Sequence, residues 1–158
     1  MITIQTYQEQ YKEQIIRLIL SIQNDEAKIH LSLAEQPDLK DIPACYEKDG
    51  GEFWIATEND KLIGTIALMN FGSGNAVLKK FFVKKEYRNK GLGQQLYRTL
   101  LRYAEEHQFH TLLLDTPSVA KASHKFYEKA GFIKINREQL PFPYEYPDRD
   151  SVVYLLRL

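Results

Sequence analysis

Apolar and polar residues alternate along positions 2–7 (Ile-Thr-Ile-Gln-Thr-Tyr), the two-residue period of a half-buried strand. From Tyr7 the period lengthens. Tyr11, Ile15, Leu18, Ile19 and Ile22 form the stripe of an amphipathic helix. Asn24 and Asp25 predict the cap of a second short helix running through Ala34. Residues 37–51 hold another helical turn or two and end at Gly50 and Gly51. Two β-rich apolar runs follow, with a hairpin turn predicted at Asn59 and Asp60. Residues 72–75 (Gly-Ser-Gly-Asn) read as a flexible turn, and 76–83 as the next strand. Beyond the loop at 86–93, Leu92, Leu96, Leu100 and Ala104 mark a helix to about His107. Residues 111–116 read as a buried strand. Residues 118–130 read as a helix, with Gly131 where a C-terminal glycine belongs. Closing strands at 132–138 and 152–158 flank a loop rich in Pro and Tyr.

This order predicts one α/β domain over residues 1–158. Hairpins in the first half call for antiparallel pairing, and the strand-helix-strand unit at 76–116 calls for at least one parallel pair. The sheet is therefore mixed. The 158 residues are 44% hydrophobic, enough for one core without disulfides. Lys plus Arg and Asp plus Glu both total 21, so the basic excess of a general nucleic-acid binder is missing. Cys45 is the single cysteine, reads as a small half-buried apolar residue, and fits a reducing cytoplasm. The N-terminal stretch does not read as a signal peptide, and no apolar run approaches transmembrane length. A cytoplasmic protein without a membrane or nucleic-acid partner is expected.

The most informative stretch precedes the third helix. Gly91 and Gly93 are expected to take positive φ and let the backbone approach a ligand. The first N–H groups of the helix lack intrahelical partners and carry the positive end of its dipole. Arg88 and Lys90 add charge. Together these features suit a diphosphate. The same residues also fit a plain strand-to-helix turn with its basic groups in solvent. A P-loop would need Gly-Lys-Ser/Thr here, and a dinucleotide fingerprint would need glycine where Leu96 stands.

A second segment, Phe126-Tyr127-Glu128-Lys129-Ala130-Gly131-Phe132, follows the next strand. Paired with Arg88-Asn89-Lys90-Gly91-Leu92-Gly93, it resembles the GCN5-related N-acetyltransferase (GNAT) family in order and separation. The likeness runs from about Glu52 to Phe132. It implies an α/β fold: a single-domain mixed, predominantly antiparallel sheet flanked by helices, with splayed central parallel strands. It also implies acetyl-coenzyme A (acetyl-CoA) as acyl donor and a primary amine as acceptor, joined by direct attack in a ternary complex. A coenzyme-binding sensor without turnover is the alternative. A homodimer is compatible with either.

Carried over by resemblance, the backbone of Phe82 and Val83 would pair with the pantetheine amides. The N–H groups of Arg88, Asn89, Lys90, Gly91, Leu92, Gly93 and Gln94 would hold the diphosphate. Tyr127 would be the general acid. The asparagine many members carry near Ala120 is absent, which leaves Ser118 or Ser123 for that cofactor contact. The glutamate base many members carry on the strand before the loop is absent too. Asp115 is then the candidate proton acceptor, through a water, although a helix or turn cap fits it as well. His124 with Lys121 and Lys125 would meet the 3′-phosphate or solvent. Tyr144, Glu145, Tyr146, Asp148 and Asp150 would either receive a cationic amine or form a solvated loop packed on the sheet. No metal spacing occurs.

Overall fold

The computed structural model describes residues 1–145 and 150–158. Among them run β1 (Ile2–Thr6), α1 (Lys12–Leu20), α2 (Ile42–Cys45), β2 (Glu52–Glu58), β3 (Lys61–Gly72), β4 (Asn75–Val83), α3 (Leu92–Glu106), β5 (Thr111–Pro117), α4 (Lys121–Lys129), β6 (Ile133–Ile135) and β7 (Ser151–Arg157). The strands form one sheet in the order β1-β2-β3-β4-β5-β7-β6. Every pairing is antiparallel except β4 with β5.

The β2–β3 turn falls at Asn59 (φ 51°) and Asp60 (φ 62°), the left-handed pair a tight hairpin needs. The predicted second helix at 24–34 does not form. Ser21–Glu26 continue α1 as a π-helical turn. Asn24 does not cap a helix. Its side-chain amide brackets the backbone of Leu31, donating to the carbonyl at 2.8 Å and accepting from the N–H at 2.6 Å.

Alternation along the strands sends side chains to two cores. On one face Leu92, Leu96, Leu100 and Ala104 of α3 pack with Ile66, Leu78, Leu112, Tyr127, Phe132 and Tyr154. Leu96 and Leu100 are fully buried, which contributes about 2 kcal/mol each. On the other face Ile15 and Ile19 of α1 and Ile42 of α2 pack on Phe53, Ile55 and Ala67. A third cluster on that second face joins Val77, Leu113 and Val153 to Leu140, Phe142 and Tyr144 of the β6–β7 loop.

Two features place the site. First, β4 and β5 pair only through Asn75–Thr111, Ala76–Leu112 and Val77–Leu113. Beyond Val77 the strands diverge, and β5 keeps its ladder with β7 to Pro117. Second, α4 ends at Gly131, whose φ of 99° suits glycine. The Gly131 N–H donates to Glu128 (3.1 Å) and the Phe132 N–H to Tyr127 (3.0 Å), while the rings of Tyr127 and Phe132 meet at 5.6 Å. This double hydrogen bond with its apolar contact is a Schellman ending. It fixes Tyr127 beneath the divergence.

Candidate active site

The loop between β4 and α3 alternates conformations. Arg88 is extended, Asn89 is left-handed (φ 61°) and Gly91 is left-handed (φ 87°). Such alternation turns successive N–H groups into a concave anion nest. No side chain caps α3, and the Gln95 N–H bonds the Gly91 carbonyl at 3.1 Å. The N–H groups of Leu92, Gly93 and Gln94 thus lack intrahelical acceptors. The expectation for the two glycines holds at Gly91 only. Gly93 lies within α3, and what its missing side chain leaves is room. A Cβ there would come no nearer than 3.6 Å to Phe81 and 3.8 Å to Phe126. Asn89 supplies the other left-handed residue.

Arg88 does not offer a free charge. Its Nε donates to the Val83 carbonyl at 2.9 Å, and its guanidinium meets Glu26 at 2.7 Å. Lys90 is exposed at the loop tip. The Lys84 N–H donates to Ile63 at 2.8 Å, which sets the phase of the β3–β4 ladder. Antiparallel alternation then spends the Phe82 backbone on Thr65, its partner in β3, and turns the Val83 backbone toward the divergence. Of the two residues named for pantetheine pairing, Val83 has the suitable phase and Phe82 does not.

Tyr127 is 6% exposed and ringed by Phe81, Phe126, Phe132 and Tyr154. Burial, then the charge of Asp115, pushes its phenol well above the ordinary value. Tyr97 Oη, in the same cluster, is buried without a hydrogen-bond partner among the described residues. A diverging strand pair and an uncapped helix start behind a nest together suit an extended, diphosphate-bearing ligand. Ser123 lies half-buried in the first turn of α4. The Ser118 backbone N–H donates to the Asp150 carbonyl at 2.8 Å. His124 Nε2 sits 2.9 Å from the Pro117 carbonyl, so the ring turns onto the end of β5.

Asp115 caps no helix. Its carboxylate accepts the Tyr144 hydroxyl. Phe142 and Tyr144 pack on Phe71 and the sheet, while Glu145 is exposed. Tyr146 and Asp148 lie outside the described residues.

Sequence reasoning missed an irregularity in β4. Thr65 pairs with Phe82 and Ala67 with Lys79, so β4 carries one extra residue opposite Ile66. Lys80 is left-handed at this bulge (φ 52°). Its side chain, 9% exposed, donates to Gln36 at 2.6 Å and lies 3.7 Å from Asp38. Gln36 is locked by a reciprocal amide pair with buried Gln23 (3.0 and 2.8 Å), and Asp38 accepts the Tyr46 hydroxyl at 2.6 Å. The signal is visible in the residues: two adjacent lysines in an otherwise apolar strand cannot both avoid the core if alternation is strict.

Burial pushes the Lys80 ammonium down to about 8, against the pull of Asp38. An unfolded lysine keeps its proton to about 10.4. Between those values the unfolded state binds more protons, so stability rises with pH. Urea titrations from pH 8 to 10 should show the native chain gaining about 2 kcal/mol relative to Lys80→Met. Parallel curves would remove Lys80 from the buried set.

Residues 16–132 match the model of the Acetyltransferase (GNAT) family. An acetyltransferase from Streptococcus agalactiae 2603 superposes with a TM-score of 0.96 at 40% identity, covering 99% of this chain and 98% of that one. A GNAT-family acetyltransferase from Staphylococcus aureus Mu50 gives a TM-score of 0.95 at 35% identity, covering 99% of each chain. The N-acetylaspartate synthetase of Xenopus tropicalis is 35% identical over 105 residues, which is 65% of this chain and 39% of that protein. This chain therefore matches well under two thirds of that relative's length. Among the described residues no helix is long and apolar enough to cross a membrane, and no group of three His, Cys, Asp or Glu is placed to hold a metal. With the family model spanning most of the chain and the fold reproduced over its whole length, the chain belongs to the GNAT acetyltransferase family.

Proposed function

We propose that this acetyltransferase moves the acetyl group of acetyl-CoA to a primary amine by direct attack, without an acyl-enzyme. The observation that carries the reading is the divergence of β4 and β5 past Val77, with the uncapped start of α3 at one end and Tyr127 beneath it. Val83 turns its backbone N–H toward an extended donor, while its carbonyl already accepts Arg88 Nε. The N–H groups of Leu92, Gly93 and Gln94, with the nest at Asn89, Lys90 and Gly91, meet its diphosphate. The names of two relatives, N-acetylaspartate synthetase and N-acetyltransferase 8, put the acetyl group on nitrogen in those proteins.

Attack on the thioester carbonyl forms a C–N bond and expels a thiolate. Tyr127 is the donor for that charge. Its phenol is held above the ordinary value of about 10, whereas a thiol titrates near 8.5. The proton thus stays closer to the phenol oxygen, and Tyr127 acts by hydrogen-bonding the sulfur more than by surrendering its proton. The amine must be neutral to attack. A lysine-like amine is about 0.1% neutral near pH 7.4, a handicap of about 4 kcal/mol. Asp115, on the second face of the sheet, accepts that proton through a water.

Tyr127→Phe keeps the ring packing and deletes the donor. Steady-state kinetics should show kcat reduced about 100-fold with coenzyme affinity within twofold; an unchanged kcat removes Tyr127 from the reaction. Gly91→Val forces a β-branched residue to a φ of 87°. Calorimetry should show coenzyme A binding weakened at least tenfold in a variant whose circular dichroism is native. Undiminished affinity would refute the nest. Coenzyme binding with no acceptor-dependent thiol release across amines, amino acids and peptides would favour the sensor over the enzyme.

A further inference from the structure

Resting on the transferase reading above, we propose that the acceptor is an amino acid, carrying a carboxylate within a few bonds of its reacting amine, and that Lys79 on β4 reads that carboxylate. The bulge makes this arrangement. Lys79 lies opposite Ala67, which belongs to the second-face core, and Lys80 reaches Gln36 and Asp38 on that same face. Residues paired directly across two strands share a face. The inserted residue therefore puts two consecutive lysines on the side of the sheet covered by α1, α2 and the β6–β7 loop.

The two have different surroundings. Lys80 is spent within the protein, neutralised by Asp38 and held by Gln36, so it ties the 36–38 segment to β4. Lys79 is half-buried, and its side chain has no hydrogen bond or ion pair among the described residues. Its pairing with Ala67 puts it on the face that α1 and α2 cover, and its charge is felt at Lys80 and at Cys45 of α2. A partly desolvated cation beside a second cation is costly unless a counter-charge arrives.

Across the divergence lies the opposite sign. Continuing the register of Ala76–Leu112 and Val77–Leu113 by two residues brings Lys79 level with Asp115. Asp115 shares its face with Leu113 and is oriented by Tyr144. Its charge reaches both Lys80 and Tyr127. Neighbouring strands lie about 4.8 Å apart where they pair and more where they part. One small molecule with an ammonium and a carboxylate spans that gap, its amine toward Asp115 and its carboxylate toward Lys79. A polyamine would bring further positive charge against Lys79 and Lys80 and is disfavoured.

The experiment uses the full chain and matched pairs: the L-amino acids, their α-carboxamides, and spermidine. Thiol release from acetyl-CoA and calorimetric binding to the coenzyme A-loaded protein are both read. The best free acids should have KM at least tenfold below their amides, and spermidine should be the poorest. Lys79→Gln should raise KM for the acids about tenfold and for the amides less than threefold, with coenzyme A affinity and melting temperature kept. Lys79→Arg should recover part of the loss. Amides or spermidine turned over as well as acids would overturn the proposal while leaving the transferase reading intact, as would an unchanged acid preference in Lys79→Gln. Acids that bind in a Lys79-dependent way without thiol release would uphold the carboxylate site and overturn transfer. Absence of both binding and turnover across the free acids would overturn the proposal as well.

Discussion

The structure depends on a failure of pairing. Parallel strands β4 and β5 hold together over three residue pairs and then part. Main-chain N–H and C=O groups are obligatory hydrogen-bonding groups, so a strand that loses its neighbour inside a domain needs another partner. β4 solves half of the problem by keeping its ladder with β3 to Val83, and β5 by keeping its ladder with β7 to Pro117. On the open side of β4 the Val83 carbonyl is met by Arg88 Nε at 2.9 Å. Every other part of the site is arranged about that gap: the α3 start at one end, Tyr127 below, and Lys79, Lys80 and Asp115 of the second face above.

The bulge at Lys80 acts on the same strand for a different end. One inserted residue reverses which side chains face which core, so Phe81 meets Phe126 and Tyr127 on one side while Phe82 packs against the α1/α2 core on the other. The Thr65 hydroxyl donates to the Lys80 carbonyl at 2.6 Å and holds the irregular turn in place. Lys80 is then anchored through Gln36 and Asp38 to the segment between α1 and α2. A wall with little regular structure is made definite by a buried network whose members are hydrogen-bonded, the condition under which buried polar groups give a unique arrangement.

Much of this architecture is legible in the amino-acid sequence. The α3 stripe, the Asn59–Asp60 turn and the glycine after α4 are local, and each rests on chemistry within a few residues. The loop at 88–93 is legible as an anion site because its chemistry is mostly backbone. What escapes such a reading depends on partners distant in sequence. Nothing beside Arg88 says that Glu26 will share its charge, and nothing beside Asn24 says that it will bracket Leu31 in place of capping a helix. Phe82 and Val83 look equivalent because only the ladder phase, set by Lys84 and Ile63, separates them. The lysine pair is in plain view, but reading it requires accepting a break in alternation.

The ending of α4 has a reach beyond its own turn. The Tyr127 carbonyl accepts the Phe132 N–H, and the Tyr127 ring rests on Phe132, so main chain and side chain of one residue are clamped by the same closure. Position 131 touches no reacting atom. A residue unable to sit at its dihedral would unwind the final turn and swing the hydroxyl out of line, and the lost turnover would look chemical while its origin was torsional.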